Sequence, residues 1–290
     1  MKNLVFPVIL MITACLFFSC TGHGVKSISY FGQQPPGNSP VLFAPDELSL
    51  PGHIPHGALT FSPDGKEVYW SVVPPKILVV ENRQGAVPAV TSFSRYIIQA
   101  PFYHAASGKL YFQMAGPGSY GGIDIWSVTR NDSSWGPAVN AGSPPNSDRL
   151  ESQPSLTTDG TLYYTGFYDK AEWDRGIYRC KLGDKGYRPP ELLPETINSP
   201  HIDYAPWIAP DESFLLFAST RPGNDEADIR LYVSFHHKDD TWSDPVNLNR
   251  AMGFDHPSRF PALTPDGKFM TFMSEDKYYW VSSDIMQSAN

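Results

Sequence analysis

Short apolar runs separated by polar turn residues fill the chain from about Tyr30 to Ser283, and one layout recurs five times. The segments are "LTFSPDGKEVYWS" (59–71), "FYHAASGKLYFQM" (102–114), "PSLTTDGTLYYTG" (154–166), "PWIAPDESFLLFA" (206–218) and "PALTPDGKFMTFM" (261–273). In each, an apolar run meets a polar corner and is followed by a second run whose side chains alternate. A proline at the first central position of a turn pre-sets φ, an aspartate bonds its own backbone, and a glycine accepts a positive φ. The corner therefore predicts two antiparallel strands joined by a tight turn.

A third strand is predicted downstream of each corner, in "KILVV" (76–80), "IDIWSV" (123–128), "GIYRC" (176–180), "IRLYVS" (229–234) and "YYWVSS" (278–283). In three units a fourth follows an aromatic, in "WGPAVN" from Trp135, "YRPPELL" from Tyr187 and "WSDPVNL" from Trp242. The intervals Trp135 to Asp159, Tyr187 to Asp211 and Trp242 to Asp266 are all 24 residues. Corners recur every 43 to 55 residues, so each unit is one four-stranded blade of a β-propeller. Such a sheet cannot cover both faces alone, and stacking blades radially into a closed ring does.

The Ser/Thr-Pro-Asp-Gly corners, the "GGIDIW" third strand and the "W..PVNL" fourth strand resemble the WD-like propeller repeats of the TolB type, found in exported bacterial proteins. That resemblance implies an all-β ring, usually of six blades. Five corners argue for five blades, with six requiring a degenerate unit near the N-terminus. The last unit ends after three strands, and "PVLFAPDEL" (40–48) is expected to supply its missing outer strand. Three corners depart from the pattern: "HAASG" lacks Pro and Asp, the third has Thr158 for Pro, and the fourth ends Asp211-Glu212. These turns are expected to be looser.

The N-terminus reads differently. Lys2 precedes fifteen residues, "LVFPVILMITACLFF" (4–18), too few to span a bilayer comfortably and ordered like an export signal. Ser19-Cys20 resembles the lipobox of bacterial lipoproteins, which implies cleavage before Cys20 and acylation of that residue. Phe17 and Phe18 depart from the usual Leu-Ala. The expected organisation is a signal peptide over 1–19, a lipidated Cys20 with a flexible tether over 20–39, and a propeller over 40–290. Thr21, in place of the Asp associated with inner-membrane retention, implies the outer membrane, and the lack of an acidic run after Cys20 favours its periplasmic leaflet. Cys180, in a strand-like run, is expected to be a packed small hydrophobe.

With 22 basic against 30 acidic residues and no basic run, the chain is unsuited to nucleic acid. The corner aspartates Asp64, Asp159, Asp211 and Asp266 are read as turn formers. Function in propellers gathers where inner strands begin. Counting eight residues back from each corner gives His56, Gln99, Glu151, Asp203 and Ser258, with His53, Arg149, His201, Tyr204, Asp255, His256 and Arg259 beside them. This polar ring predicts a ligand site formed by His56, Gln99, Glu151, Asp203, Tyr204, His256 and Arg259, for an envelope protein or a small polar ligand such as a glycan. Tyr204 or Trp207 would be the stacking platform.

A second reading is enzymatic. Glu151 with Asp203 or Asp255 would imitate the acid and base of arabinanase-like glycoside hydrolases, which needs carboxyl groups about 5 to 9.5 Å apart. A metal variant, similar to propeller-type polysaccharide lyases, would use His56, His201 and His256, joined by His104 from the second corner. "RPGNDEADIR" (221–230) concentrates Asp225, Glu226 and Asp228 as hard oxygen ligands without EF-hand spacing, and reads as a solvated loop. "AGPGSYGG" (115–122) lacks the strand-then-helix setting of a phosphate loop, and no G-x-S-x-G elbow occurs. No cofactor is expected. The reading adopted is a membrane-anchored binding module, with a carbohydrate-active hydrolase or lyase as the alternative.

Overall fold

A computed structural model describes residues 28–91, 96–131, 134–167, 175–221 and 229–289. The signal segment, Cys20, and Asp225, Glu226 and Asp228 lie outside the described residues. Strand β1 (Val41–Leu42) comes first. Blade 1 holds β2 (Ile54–Pro55), β3 (Thr60–Phe61), β4 (Glu67–Val73), β5 (Lys76–Glu81) and β6 (Ala89–Val90). Blade 2 holds β7 (Ile97–His104), β8 (Lys109–Ala115), β9 (Asp124–Asn131), β10 (Ser134–Trp135) and β11 (Val139–Asn140). In blade 3, β12 (Glu151–Leu156), β13 (Leu162–Phe167) and β14 (Arg175–Cys180) lead through a small hairpin, β15 (Leu182–Gly183) and β16 (Gly186–Tyr187), to the outer β17 (Glu191–Leu192). Blade 4 is β18 (Asp203–Ile208), β19 (Phe214–Ser219), β20 (Arg230–Phe235) and β21 (Val246–Asn247). Blade 5 is β22 (Arg259–Leu263), β23 (Phe269–Ser274) and β24 (Lys277–Ser282).

The outer strand of blade 5 is β1, paired antiparallel to β24 with Val41 opposite Trp280 and Leu42 opposite Tyr279. The five antiparallel sheets form a five-bladed propeller, closed by the N-terminal segment as the apolar pattern of "PVLFAPDEL" predicts. Trp280 is fully buried in the closure, with the rings of Phe43 and Phe269 at 4.9 Å and Tyr30 at 5.4 Å. The hydroxyl of Tyr278 donates to the carbonyl of Gly57 at 2.9 Å, tying blade 5 to blade 1 inside the protein.

The corners are tighter than the substitutions in them suggest. Gly65, Gly160, Glu212 and Gly267 each donate N–H to the carbonyl three residues back, at 2.8 to 2.9 Å. Glu212 takes the left-handed φ of 62° that glycine takes elsewhere, and its carboxylate is held by the Tyr163 hydroxyl at 2.5 Å. The second corner is closed by a different bond: Gly108 donates four residues back, to His104, at 3.0 Å. Within the corners, Ser62 donates to Asp64 and Thr264 to Asp266, both at 2.8 Å, and Thr157 donates to Asp159. The N–H groups of Lys66, Thr161, Ser213 and Lys268 close onto the corner carboxylates at 3.1 to 3.2 Å. The repeated aspartates thus serve the turns.

The aromatics spaced 24 residues from the next corner open each blade's return to its outer strand. Trp135 pairs with Arg130, Tyr187 with Leu182, and Trp242 bridges His236. Trp135 packs on Tyr69 of blade 1 at 6.0 Å and Trp242 on Tyr163 of blade 3 at 6.4 Å, so the aromatic is a wedge between blades. Cys180 is buried in blade 3, where burial pushes its thiol up to about 12. The only helix among the described residues with α geometry is α1 (Leu248–Met252), capped by Asn247 and ended by Gly253 at φ 62°; a 3-10 turn covers Ser283–Ala289. No described helix is long and apolar enough to cross a membrane.

The N-terminal stretch departs from the expected free tether. Tyr30 and Phe31 are buried against blades 5 and 1. The Tyr30 hydroxyl donates to Asp266 at 2.6 Å, the Phe31 N–H to Asn82 at 2.8 Å, and Ile28 packs where a side chain on Gly65 would lie. The chain therefore enters the propeller across the corners of blades 5 and 1.

Candidate functional site

The inner strands surround a channel, and each is kinked midway. Register shifts fall at Gln99/Phe102, Ser152/Ser155, Tyr204/Trp207 and Arg259/Ala262. At each bulge the residue before a proline has positive φ: Ala100 at 50°, Gln153 at 54°, Ala205 at 53° and Phe260 at 56°. An L-residue in that region costs about 1 to 2 kcal/mol. Neighbouring blades hold it there by bonding the amides that a bulge frees. Ala100 N–H donates to Ser71 Oγ at 3.1 Å, Gln153 N–H to Gln113 at 3.2 Å, and Ala205 N–H to Thr165 Oγ1 at 2.9 Å. Pro101, Pro154, Pro206 and Pro261 thereby converge with Ala58 and Phe260, leaving about 30 Å³ among them. That is about one water's share of liquid volume. The waist separates two mouths.

At the mouth where inner strands begin lie the residues expected from sequence. Glu151 and Asp203 are 4 % and 1 % exposed, each closing the loop before its own strand. Ser147 donates to Glu151 from Oγ at 2.5 Å and from N at 3.2 Å; Ser199 donates to Asp203 from Oγ and N at 2.7 Å. Arg221 pairs with Asp203 at 2.7 Å. Burial pushes the carboxyl of Glu151 up, opposed by the Ser147 bonds. These two loops, and α1 before β22, contain three buried or half-buried asparagines that sequence reasoning missed. Asn146, Asn198 and Asn249 each accept from the backbone N–H of the third strand, Ile125, Ile177 and Leu231, at 2.7 to 2.8 Å. The parallel "NSDRLE" (146–151) and "NSPHID" (198–203) carried that signal.

The remaining rim residues form a looser set. His56 packs edge-on against Phe260 at 5.2 Å; burial, then the Arg259 charge, pushes its imidazole pKa down. Gln99 Nε2 reaches the Val72 carbonyl at 3.5 Å. Tyr204, 5 % exposed, is covered by Phe260 and by the Arg175 guanidinium at 5.3 Å from its ring. It offers no free stacking face. Arg259 faces Asp276 at 3.8 Å, His256 faces Glu275 at 3.2 Å, and Asp255, fully exposed, faces Arg230 at 3.4 Å. His201 sits in the Ser199 loop, its N–H on Ser199 Oγ at 3.2 Å. His104 lies in the second corner, at the other mouth, bonded to Ser107 Oγ and the Thr157 carbonyl at 2.8 and 3.0 Å. The four histidines therefore do not assemble, and no trio of His, Cys, Asp or Glu among the described residues is placed to hold a metal ion.

The corner mouth, not singled out from sequence, opens a cavity of about 1080 Å³. All five corners contribute to it. Its walls are apolar and aromatic: Phe102, Leu156, Trp207, Phe214, Phe235 and Leu263, with Met286 from the C-terminal turn. Trp207 and Phe214 lie tilted together at 6.0 Å. Of the two aromatics expected as platforms, Trp207 lines this cavity, at the opposite mouth from Tyr204.

No protein-family model matches the chain, and no curated protein matches it by sequence. Solved structures do resemble its fold. A protein described as a TolB from Agrobacterium tumefaciens is 16 % identical with a TM-score of 0.51, over 76 % of this chain and 70 % of that one. A family-43 endo-arabinanase from Bacillus licheniformis is 13 % identical with a TM-score of 0.51, over 81 % and 95 %. The arabinanase Arb43A of Bacillus subtilis is 14 % identical with a TM-score of 0.51, over 79 % and 94 %. The chain has a TolB-like five-bladed propeller fold. A TolB and arabinanases match it equally well, so the likeness defines architecture and leaves activity to the residues.

Proposed function

We propose that this protein is a membrane-anchored binding module. In this reading residues 1–19 direct export, Cys20 is acylated, and the anchor holds the propeller at the outer membrane, facing the periplasm. The mouth where inner strands begin then points away from the bilayer and engages an envelope protein or a small polar ligand such as a glycan. His56, Gln99, His256 and Arg259 are its recognition groups.

The observation that carries the binding reading over the enzymatic one is how Glu151 and Asp203 are used. Hydrolysis needs one carboxyl free to give a proton and another free to meet the substrate or its water. Here Glu151 is buried beneath Ser147, and Asp203 is saturated by Ser199 and Arg221. A hydrolase remains the second reading because burial raises the Glu151 pKa, as a general acid requires. The test is a glycan array and an arabinan turnover assay on the purified Cys20→Ser chain. Retention of a glycan without cleavage supports the module; cleavage abolished by Glu151→Gln establishes the hydrolase.

A further inference from the structure

The corner-side cavity has no part in that reading, and its chemistry is specific. Most of its polar wall groups are already engaged within the protein, and Tyr103, Thr158 and Gln287 are the polar side chains left over along a largely apolar lining. Thr60 Oγ1 accepts from the Tyr103 N–H at 2.9 Å, and Ser62 Oγ both donates to Asp64 and accepts from the Glu67 N–H. Both His104 nitrogens are engaged, Thr264 Oγ1 serves Asp266 and the Phe269 N–H, and Ser213 Oγ donates to Asp211. A glycan or an extended peptide needs partners for its hydroxyls or amides, and desolvating those groups without partners is costly. A hydrocarbon chain needs none.

The waist, with a void of about 30 Å³, is far smaller than the cavity beside it, so the wide entrance for an occupant is at the corner face. That face also receives the N-terminal segment, through Ile28 on Gly65 and Tyr30 on Asp266. Eight residue steps separate Ile28 from Cys20. At about 3.3 to 3.6 Å each, they hold an acylated Cys20 within about 29 Å of this face. Asp64 and Asp266 are paired with Lys66 and Lys268 at 2.7 and 3.8 Å, but the corner carboxylates Asp159 and Asp211, held ionised by hydrogen bonds within their turns, leave negative charge at the edge of the opening. They favour a headgroup bearing an ammonium over a free fatty acid.

We propose that the corner-side cavity binds one acyl chain of a zwitterionic lipid from the membrane against which the tether holds this face. The choice of source rests on the anchored reading; the hydrocarbon chemistry of the cavity does not.

The experiment titrates the purified Cys20→Ser chain with lysophosphatidylethanolamine carrying ten or sixteen carbons, below its micelle concentration. The expected result is saturable one-to-one binding that tightens about fourfold per added methylene until the cavity is filled, with palmitate binding more weakly. Ala106→Arg, on the exposed second corner, and Leu263→Glu, in the wall, should each weaken binding at least tenfold. Circular dichroism checks that both remain folded, and Ala106 is itself exposed. Absence of saturable binding, indifference to chain length, or binding unchanged in both variants overturns the proposal, as does an apolar decapeptide that binds where the lysolipid does not. Mass spectrometry of membrane-derived protein examines Cys20 separately: an unmodified Cys20 overturns the anchored reading, whereas failed lysolipid binding overturns the acyl site.

Discussion

The two mouths of one channel, built from the same five inner strands, have opposite characters. Where the strands begin, buried carboxylates and asparagines are consumed in closing loops, and the exposed layer is charged, pairing Arg259 with Asp276 and His256 with Glu275. Where they end, the hydrogen bonds go to building and bracing the corners, and the open volume is left largely to Phe102, Trp207, Phe235 and Leu263. The difference teaches that in a repeat the polar residue at a fixed position is first a structural device. What remains for recognition is whatever the device leaves uncovered, which is charge at one end and hydrocarbon surface at the other.

That contrast can be broken most directly at Asp203. Asp203→Ala strips the buried partner from Arg221 and unpins the Ser199 loop, and should cost about 3 kcal/mol in urea unfolding, the usual scale for breaking a buried pair. Wild-type stability in this variant would mean that the carboxylate is held for chemistry and not for the loop. Asn249→Ala comes next. It leaves the Leu231 N–H and the carbonyl of Phe254 without partners, and about 2 kcal/mol should be lost. At the opposite mouth, Ser62→Ala removes two bonds inside an exposed turn and should cost about 1 kcal/mol, leaving lysolipid binding little changed because both bonds are made within its own corner. The smallest effect concerns His56. Its folded pKa is lowered, so the unfolded chain takes the proton first; the contribution is complete above about pH 6.5 and is lost as pH falls through the folded value. Midpoints measured across that window should slope in the native chain and flatten in His56→Gln.

Much of this architecture was legible in sequence because turn chemistry is written in residue types. The Pro-Asp-Gly corners, the alternation after them and the apolar "PVLFAPDEL" sufficed to place five blades and their closure. The 24-residue interval marked a real element, the aromatic wedge between blades. Glu212 in the fourth corner misled, because a non-glycine at positive φ looks like a defect until the Tyr163 hydroxyl that holds it is seen. The different bond that closes the second corner was invisible for a similar reason: "HAASG" carries no mark distinguishing a three-residue from a four-residue step back to the accepting carbonyl. The rim residues occupy the strand beginnings expected of them, but sequence could not separate a carboxylate at a site from one used by its loop, and the serines four residues before Glu151 and Asp203 were the missed clue. The cavity left no trace, since an apolar side chain lining a void reads the same as one packed in a core.

The aromatic closure around Trp280 has a mechanical consequence. In an anchored chain, any tug from the bilayer reaches Tyr30 and Phe31 before it reaches Val41 and Leu42. The strain would then be shared between Asp266 on one side of the seam and Asn82 on the other. Force would draw those neighbours together across the junction, and the pairing of β1 with β24 would lie downstream, sheltered from peeling.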